Sequence, residues 1–468
     1  MLVVWRTCHD PQGRLRLLHP VRPPGNLWVS ERPVIPVRPV AGKPSAEVLA
    51  QLDRRWRLRY LMLAPYRLGF FLAMVLLVTS GAWWALVQVS RVFPWPALGY
   101  SLSPTVVHAA VMVFGFIPLF FSGFLFTAGP KWLGVEPWPT HALRAPLLLQ
   151  AAGWLTWIAG AHLSAVVCLV GAVLAWVGLT SMGVRFWRLV LRSRAEDQVH
   201  ARAIGVAVIV GSLSLLGLCA SLVWDAQDIA RVFVLTGLWG FVLVVYVSVA
   251  HRMIPFFTSS AMPFIQVWRP FWLLWLMLGA AAFEAAAVWV EFEGPLRGPV
   301  APAWMLLRGV LELGVGAVLL WLAGVWGLVQ SLKNRLLAML HIGFFWLGLS
   351  FVLAGVSQLL GLVQGAPFLG LGALHALTMG CLGSLMLAMV TRVSCGHSGR
   401  ALVADRIAWS LFWVLQVATV LRIVATLPTA FSGSLLLVAA LLWTGTMGVW
   451  GMRLGAWYGR LRVDGRPG

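Results

Sequence analysis

Long apolar runs alternate with short polar segments along nearly the whole of this 468-residue chain. A helix that crosses a membrane needs about 20 mostly apolar residues, and twelve stretches approach or exceed that length. They are Leu68–Ser90, Pro104–Ala128, Arg144–Gly160, Ser164–Gly183, Ala203–Leu222, Ala230–Ala250, Phe271–Val290, Ala303–Val329, Leu336–Leu360, Leu369–Val390, Ala408–Pro428 and Ser432–Leu454. The pattern therefore predicts an all-α fold, a polytopic membrane helix bundle of about twelve transmembrane helices.

Composition supports this fold class. The chain is 60% hydrophobic and 11% charged, whereas a soluble protein carries about 25% charged residues. The net charge of +20 does not indicate nucleic-acid binding, because the basic residues lie beside apolar runs and not on a soluble domain. The five cysteines are scattered without a close pair, which excludes a disulfide framework or a zinc ribbon.

Charges in the predicted loops give the bundle an orientation. One set of alternate loops holds most of the arginines, such as the five in the fourth loop: Arg185, Arg188, Arg192, Arg194 and Arg202. The other set holds few basic residues and several acids, among them Asp225, Asp228, Glu291 and Glu293. Because basic loops stay in the cytoplasm, the sequence predicts that both termini are cytoplasmic (N-in and C-in).

The segment before the first helix contains no signal peptide and divides into two parts. Residues 1–44 are rich in arginine and proline, which predicts a disordered basic cytoplasmic tail. In residues 45–63, apolar positions recur at helical spacing among arginines. This favours an amphipathic membrane-surface helix that binds anionic lipids, although an ordinary packed helix has the same spacing. The transmembrane domain then covers 64–468.

Ionisable side chains at membrane depth are costly and are therefore functional candidates. His108 and His375 are predicted near the outer ends of helices two and ten, which is the arrangement that bis-histidine haem ligation requires. Arg308 or Arg422 is placed to pair with haem propionates. Alternatively, each histidine bonds a carbonyl, and Arg308 forms a structural ion-pair network with Glu284 and with Glu312, four residues along the same helix.

A second set of candidates lies at the predicted inner side. His251, His341 and His397 carry imidazoles, which suit copper. His397 belongs to the string Thr391–Leu402, whose Gly-His-x-Gly-Arg arrangement and two arginines, Arg392 and Arg400, can bind an anion or hold a metal ligand. A solvated, positive-inside loop explains the arginines alone.

That string, preceded by His375-Ala-Leu-Thr-Met-Gly380, resembles the signature of the NnrS family, bacterial haem- and copper-containing membrane proteins of nitric oxide metabolism. Phe124–Trp132, Arg252–Thr258 and Tyr66–Ala73 resemble other segments of that family, over roughly residues 64–455. The resemblance implies an inner-membrane haem protein, with copper as a further expected metal, in nitric oxide metabolism, denitrification or nitrosative-stress tolerance. Nitric oxide or a small redox partner would interact with it. No defined reaction follows, so enzymatic activity is left open.

The chain departs from this family within helix two. The family reads W-H-x-H-E-M-x-F-G-F there, whereas this chain keeps His108 but has Ala110 and Val111 in place of the second His and the Glu. His251 also stands where the family usually has Gly. If the missing pair serves a metal or proton step, this chain retains haem but lacks the full site.

Three other functions stay open from the sequence. A secondary transporter fits the helix count, but internal repeats and broken helices are not evident. A haem-copper-oxidase-like electron-transfer subunit would need a histidine cluster in helices six and seven. A cofactor-free membrane or assembly protein would follow if Ala110 and Val111 reflect lost chemistry.

Overall fold

A computed structural model describes residues 55–93, 98–266, 268–292, 298, 300–365 and 367–464, together with two short strands near the N-terminus. The strands β1 (Thr7–His9) and β2 (Leu15–Leu17) pair antiparallel, with Cys8 opposite Arg16. The rest of the predicted tail, residues 1–44, lies outside the described residues.

Long helices form nearly all of the described part of the chain beyond this tail, and each of the twelve predicted helices is present. They are α1 (Pro65–Val92), α2 (Pro104–Leu133), α3 (Thr140–Leu163), α4 (Ala165–Arg192), α5 (Val199–Val223), α6 (Gln227–Ala261), α7 (Phe271–Val290), α8 (Val300–Val325), α9 (Arg335–Gln364), α10 (Gly372–His397), α11 (Arg406–Val424) and α12 (Ser432–Tyr458). The polytopic helical bundle predicted from the sequence is thus confirmed.

Eleven of these helices are long and apolar enough to cross a membrane, within the described ranges. The exception is α3, which is 24 residues long but carries His141, Arg144, Gln150 and His162. The bundle begins and ends at the same end, because the Arg57 amide donates a hydrogen bond to the Gly459 carbonyl (2.7 Å). We call this end the terminal face. Because a shared end requires an even number of crossings, we infer that α3 crosses as well. The cytoplasmic location of the terminal face stays a prediction.

Burial separates the helices into a centre and a rim. Within their apolar stretches, α2, α9 and α10 have 72–78% of their residues buried, whereas α7, α8 and α11 have only 28–33%. The central helices are therefore surrounded by protein, and the rim helices turn most of their surface toward lipid. Polar groups on α2 and α10 consequently face other helices.

Glycines allow the closest helix contacts. A Cβ atom on Gly153 of α3 would lie 2.5 Å from the carbonyl oxygen of Gly171 on α4, and a Cβ on Gly171 would lie 2.6 Å from that of Gly153. Small residues at such crossings let two backbones approach, which is how membrane helices gain packing energy. The two glycines thus hold the α3–α4 hairpin together.

Three irregular points interrupt the helices. At Gly115, with φ −78° and ψ −90°, α2 is interrupted, and a Cβ there would lie 2.3 Å from the Val111 carbonyl oxygen. Leu238–Leu243 in α6 and Ala376–Gly383 in α10 are π-helical. Such turns occur frequently at functional sites, and the second begins directly after His375.

The predicted amphipathic helix at 45–63 is described only from Arg55 onward. Leu58–Leu63 form a 3₁₀ helix with Tyr60 and Leu61 buried. The Trp56 indole packs on Phe71 with 5.8 Å between ring centroids and donates to the Gly455 carbonyl (3.1 Å). These contacts hold the described part against the bundle as a packed 3₁₀ turn and not as a regular α-helix.

Candidate functional site

Two histidines and an arginine from three helices lie near the face opposite the terminal face. His108 lies in the second turn of α2, His375 in the first turn of α10, and Arg422 in the last turn of α11. Each of the two histidines lies within electrostatic range of Arg422, and His375 lies within range of His108. We call this group the outer site. The structure thus brings together three residues that the sequence places at similar depth.

His375 is oriented by the backbone of its own helix. Its Nδ1 lies 2.8 Å from the Leu371 carbonyl oxygen. A carbonyl only accepts, so Nδ1 carries the proton and Nε2 keeps its lone pair. Metal-ligating histidines are held in this way, with one ring nitrogen bonded to a carbonyl and the other free.

His108 is held by stacking. Its ring lies 3.9 Å from the Trp84 ring with only 14° between the planes, and the Arg91 guanidinium lies over the same Trp84, 5.5 Å from its centroid. The Nδ1 atom of His108 is buried and has no hydrogen-bond partner among the described residues. An orphaned buried imidazole nitrogen is costly, so this atom is free to bind a ligand.

Arg422 and Arg308, the two arginines predicted to pair with haem propionates, differ in their contacts. Within the part of the chain that the structure describes, the Arg422 guanidinium makes no hydrogen bond or ion pair. Arg308 instead binds three carboxylates, with Glu284 and Glu291 at 2.6 Å and Glu312 at 2.9 Å. The predicted pairing of Arg308 with Glu312 is confirmed. To bind a propionate, Arg308 would have to give up one of these pairs, whereas Arg422 would not.

The inner histidines occupy separate positions near the terminal face. His251 Nδ1 lies 3.0 Å from Nε2 of His200, and His251 Nε2 lies 3.2 Å from the Pro270 carbonyl oxygen. His341 Nε2 lies 2.9 Å from the Thr258 hydroxyl. The sequence reading missed His200 because it placed that residue in a loop, whereas it is the second residue of α5.

The structure does not bring His251, His341 and His397 into one group, and copper binding by them stays a prediction. The ring of His397 lies against Tyr66, with 5.0 Å between centroids. Among the described residues, no three His, Cys, Asp or Glu side chains form a group that could hold a metal ion. The fold instead ties His251, His341 and His397 each to a different partner.

Arg392 and Arg400 also lie away from the outer site. The guanidinium of Arg392 lies 4.0 Å from the Phe257 ring centroid, and that of Arg400 lies 4.2 Å from the Trp457 ring. Burial lowers the pKa of Arg400. Arg392 follows His375 by 17 residues, or about 25 Å along a helix. The cofactor residues predicted from sequence are therefore divided between the two ends of the bundle.

A small apolar cavity lies among the central helices. Its lining includes Phe120 of α2, Tyr246 and Met253 of α6, and Met386 and Met389 of α10. Counted from the outer end of each helix, these residues come after the interruption of α2 and after the π-helical segments of α6 and α10. The cavity and the outer site are therefore separate features.

A family sequence model with the description "NnrS protein" matches residues 60–462. The chain belongs to the NnrS family. The match runs from Tyr60 in the 3₁₀ helix to Arg462 beyond α12, and so includes the complete bundle of this NnrS protein. No curated protein matches the chain. The resemblance read from four short segments of the sequence is thereby confirmed.

The two positions at which the resemblance led us to expect a histidine and a glutamate are packed tightly. Ala110 and Val111 on α2 are both 0% exposed. A histidine and a glutamate at these positions would need space that the neighbouring helices occupy here. The two substitutions are thus accommodated within the core next to His108.

Proposed function

We propose that this NnrS protein binds haem at the outer site and acts in nitric oxide metabolism or nitrosative-stress tolerance in the bacterial inner membrane. One observation carries the proposal. Two imidazoles from different helices, each with a free nitrogen, lie beside a guanidinium that has no partner among the described residues. Haem needs both kinds of group, because its iron takes axial imidazoles and its propionates need a cation.

The residues of this chain have distinct tasks in such a site. His108 and His375 would hold the haem iron through imidazole nitrogens, and Arg422 would neutralise a propionate at a depth where an unpaired charge is expensive. The Leu371 carbonyl and the Trp84 ring fix the two imidazoles. When bound, the haem would supply a redox-active iron, for which nitric oxide would compete with one of the two imidazoles. Copper at His251, His341 and His397 is not part of this proposal.

The test is the visible spectrum of the protein purified in detergent from haem-replete cells. A Soret band is expected in the wild type and should be lost in His108→Ala and in His375→Ala. His341→Ala is the matched control, since it removes a buried histidine on the central helix α9 and should retain the band. Addition of nitric oxide to the reduced wild type should shift the band.

Two results would contradict the proposal. Colourless wild-type protein would show that no haem is bound. Equal haem content in all three variants would show that the haem binds away from the outer site. Size-exclusion chromatography of each variant separates loss of haem from loss of the fold. If nitric oxide leaves the haem band unchanged, the haem assignment stands but the proposed role in nitric oxide metabolism is contradicted.

A secondary transporter is the second candidate, because of the irregular helices. Transporters bind substrate where spanning helices are broken, and α2 is interrupted at Gly115 while α6 and α10 contain π-helical segments. Colourless protein that accumulates a solute in vesicles would favour this function over the haem protein.

A further inference from the structure

Arg308 joins three acidic side chains from two helices and the segment that follows α7. Each of its three nitrogens donates to a different carboxylate: NH2 to Glu284, NH1 to Glu291, and Nε to Glu312. Glu284 and Glu312 are each only 2% exposed. One guanidinium cannot balance two buried carboxylates, so the buried part of this cluster lacks one positive charge.

Two oxygens show where that charge belongs. Glu284 and Glu312 each use one carboxyl oxygen to accept from Arg308. The other oxygens, Oε1 of Glu284 and Oε2 of Glu312, are buried and have no donor among the described residues. Both carboxyl groups bind the same guanidinium, at 2.6 Å for Glu284 and 2.9 Å for Glu312, and therefore lie close together. Two ionised carboxylates at such a separation repel, whereas an acid and a carboxylate form a short, strong hydrogen bond.

The surroundings connect this pair to the aqueous phase on the side opposite the terminal face. The Glu291 side chain is 35% exposed and also accepts from the Trp304 indole (2.8 Å). On the neighbouring α6, Asp228 and Arg231 are exposed at the outer rim. The one charged residue of α9, Arg335, is its first residue and lies at the terminal face. Glu291 is therefore the acid of this cluster that water reaches.

We propose that Glu284 and Glu312 share one proton and form a proton-binding site within the membrane, which exchanges with the outer aqueous side through Glu291. With the proton in place, the two buried acids and Arg308 sum to zero charge, which is the state that a low-dielectric interior favours. Binding takes up one proton and no other reactant. This site is independent of the haem proposed above, because none of its residues belongs to the outer site.

Infrared spectroscopy of the purified protein in an ester-free detergent tests the proposal. At neutral pH the wild type should show the C=O band of a protonated carboxylic acid, shifted by deuterium oxide. Glu284→Gln and Glu312→Gln should each abolish it, because the remaining carboxylate can ionise beside Arg308 without a like-charged neighbour. Glu291→Gln, on the same arginine but partly exposed, should retain it.

The outcomes separate the alternatives. Absence of the band in the wild type at neutral pH would overturn the proposal, and so would a band unaffected by both buried substitutions. A band that disappears when sodium replaces potassium would assign the site to a sodium ion instead. If a glutamine variant fails to fold, the wild-type band and its response to sodium still decide whether the site holds a proton. Protein without haem must give the same band, so the proton-binding proposal stands even if the haem proposal fails.

Discussion

The backbone amide of Arg57 donates a hydrogen bond to the carbonyl of Gly459, so the segments that enter and leave the bundle are joined. Both termini of the helical unit are therefore on one side of the membrane. Arginine-rich loops assign that side to the cytoplasm. A reporter fused after Gly468 should be active only in its cytoplasmic form, and a fusion at Asp225 should be active only outside. Periplasmic activity of the first fusion would reverse the predicted orientation.

The less apolar helix α3 should cross the membrane completely. Leu163 at its outer end and Leu191 near the inner end of α4 are both highly exposed. In a background that carries Cys8→Ser, a membrane-impermeant thiol reagent added outside intact cells should label Leu163→Cys. It should not label Leu191→Cys. The reverse pattern, or labelling of both, would show that the α3–α4 hairpin does not follow the described path.

The crossing of α3 and α4 should be sensitive to one methyl group. Gly153→Ala places a Cβ against the Gly171 backbone, so the helices must separate at a cost of about 1–3 kcal/mol. The control is Gly279→Ala on α7, where no atom lies within 4 Å of the added carbon. Thermal denaturation in detergent should show a lower midpoint for the first variant only. Equal midpoints would mean that the contact is not tight.

Arg422 should strengthen haem binding. If its guanidinium pairs with a propionate, Arg422→Gln removes a charge-assisted hydrogen bond worth about 1.5–3 kcal/mol, or roughly tenfold or more in affinity. Haem retained after extensive washing should fall accordingly. Arg406→Gln, at the opposite end of the same helix α11, is the matched control and should retain wild-type haem. Equal retention by both variants would place the propionates elsewhere.

Asp405 provides a pH-dependent contact at the terminal face. It caps α11 by accepting from the Ala408 amide (3.0 Å) and accepts from Arg453 NH1 (2.8 Å). The hydrogen bonds from Arg453 hold its pKa below the ordinary value of 3.8. A lowered folded-state pKa contributes stability above the ordinary value, and that stability is lost as the pH falls through the folded-state value.

Asp405→Asn tests this contact because asparagine still caps the helix. At neutral pH the variant should denature at a lower temperature than the wild type. The loss in the free energy of unfolding should be less than about 1 kcal/mol. The difference should shrink once the pH falls below the ordinary value. A difference independent of pH would show that the charge of Asp405 does not contribute.

The sequence was sufficient for the helices and for the depth of the polar groups. Apolar runs predicted every helix, since lipid allows few structures other than helices to cross. Helix direction then placed His108, His375 and Arg422 at one end, and in the structure all three lie on helix turns at the end opposite the terminal face. The spacing of Arg308 and Glu312 predicted their ion pair, because residues four apart share a helix face.

Contacts between helices could not be read in the same way. The His200–His251 hydrogen bond and the Glu291–Arg308 pair each involve one residue at a helix end, His200 or Glu291, where a hydropathy profile does not distinguish a loop from a helix. The inner histidines share a depth but face different neighbours, since rotation about each helix axis is set by packing. The π-helical segments leave no signal in composition.

The π-helical segment after His375 has a consequence for how α10 is constructed. Each residue in an α-helix turns the chain by about 100°, and a π-helical turn holds one residue more than an α-helical turn. Removing a single residue such as Met379 would restore regular geometry and rotate His375 away from His108, while Arg392 kept its place on Phe257. The extra residue therefore sets the angular register between the two ends of α10, so that one helix can serve both faces of the bundle.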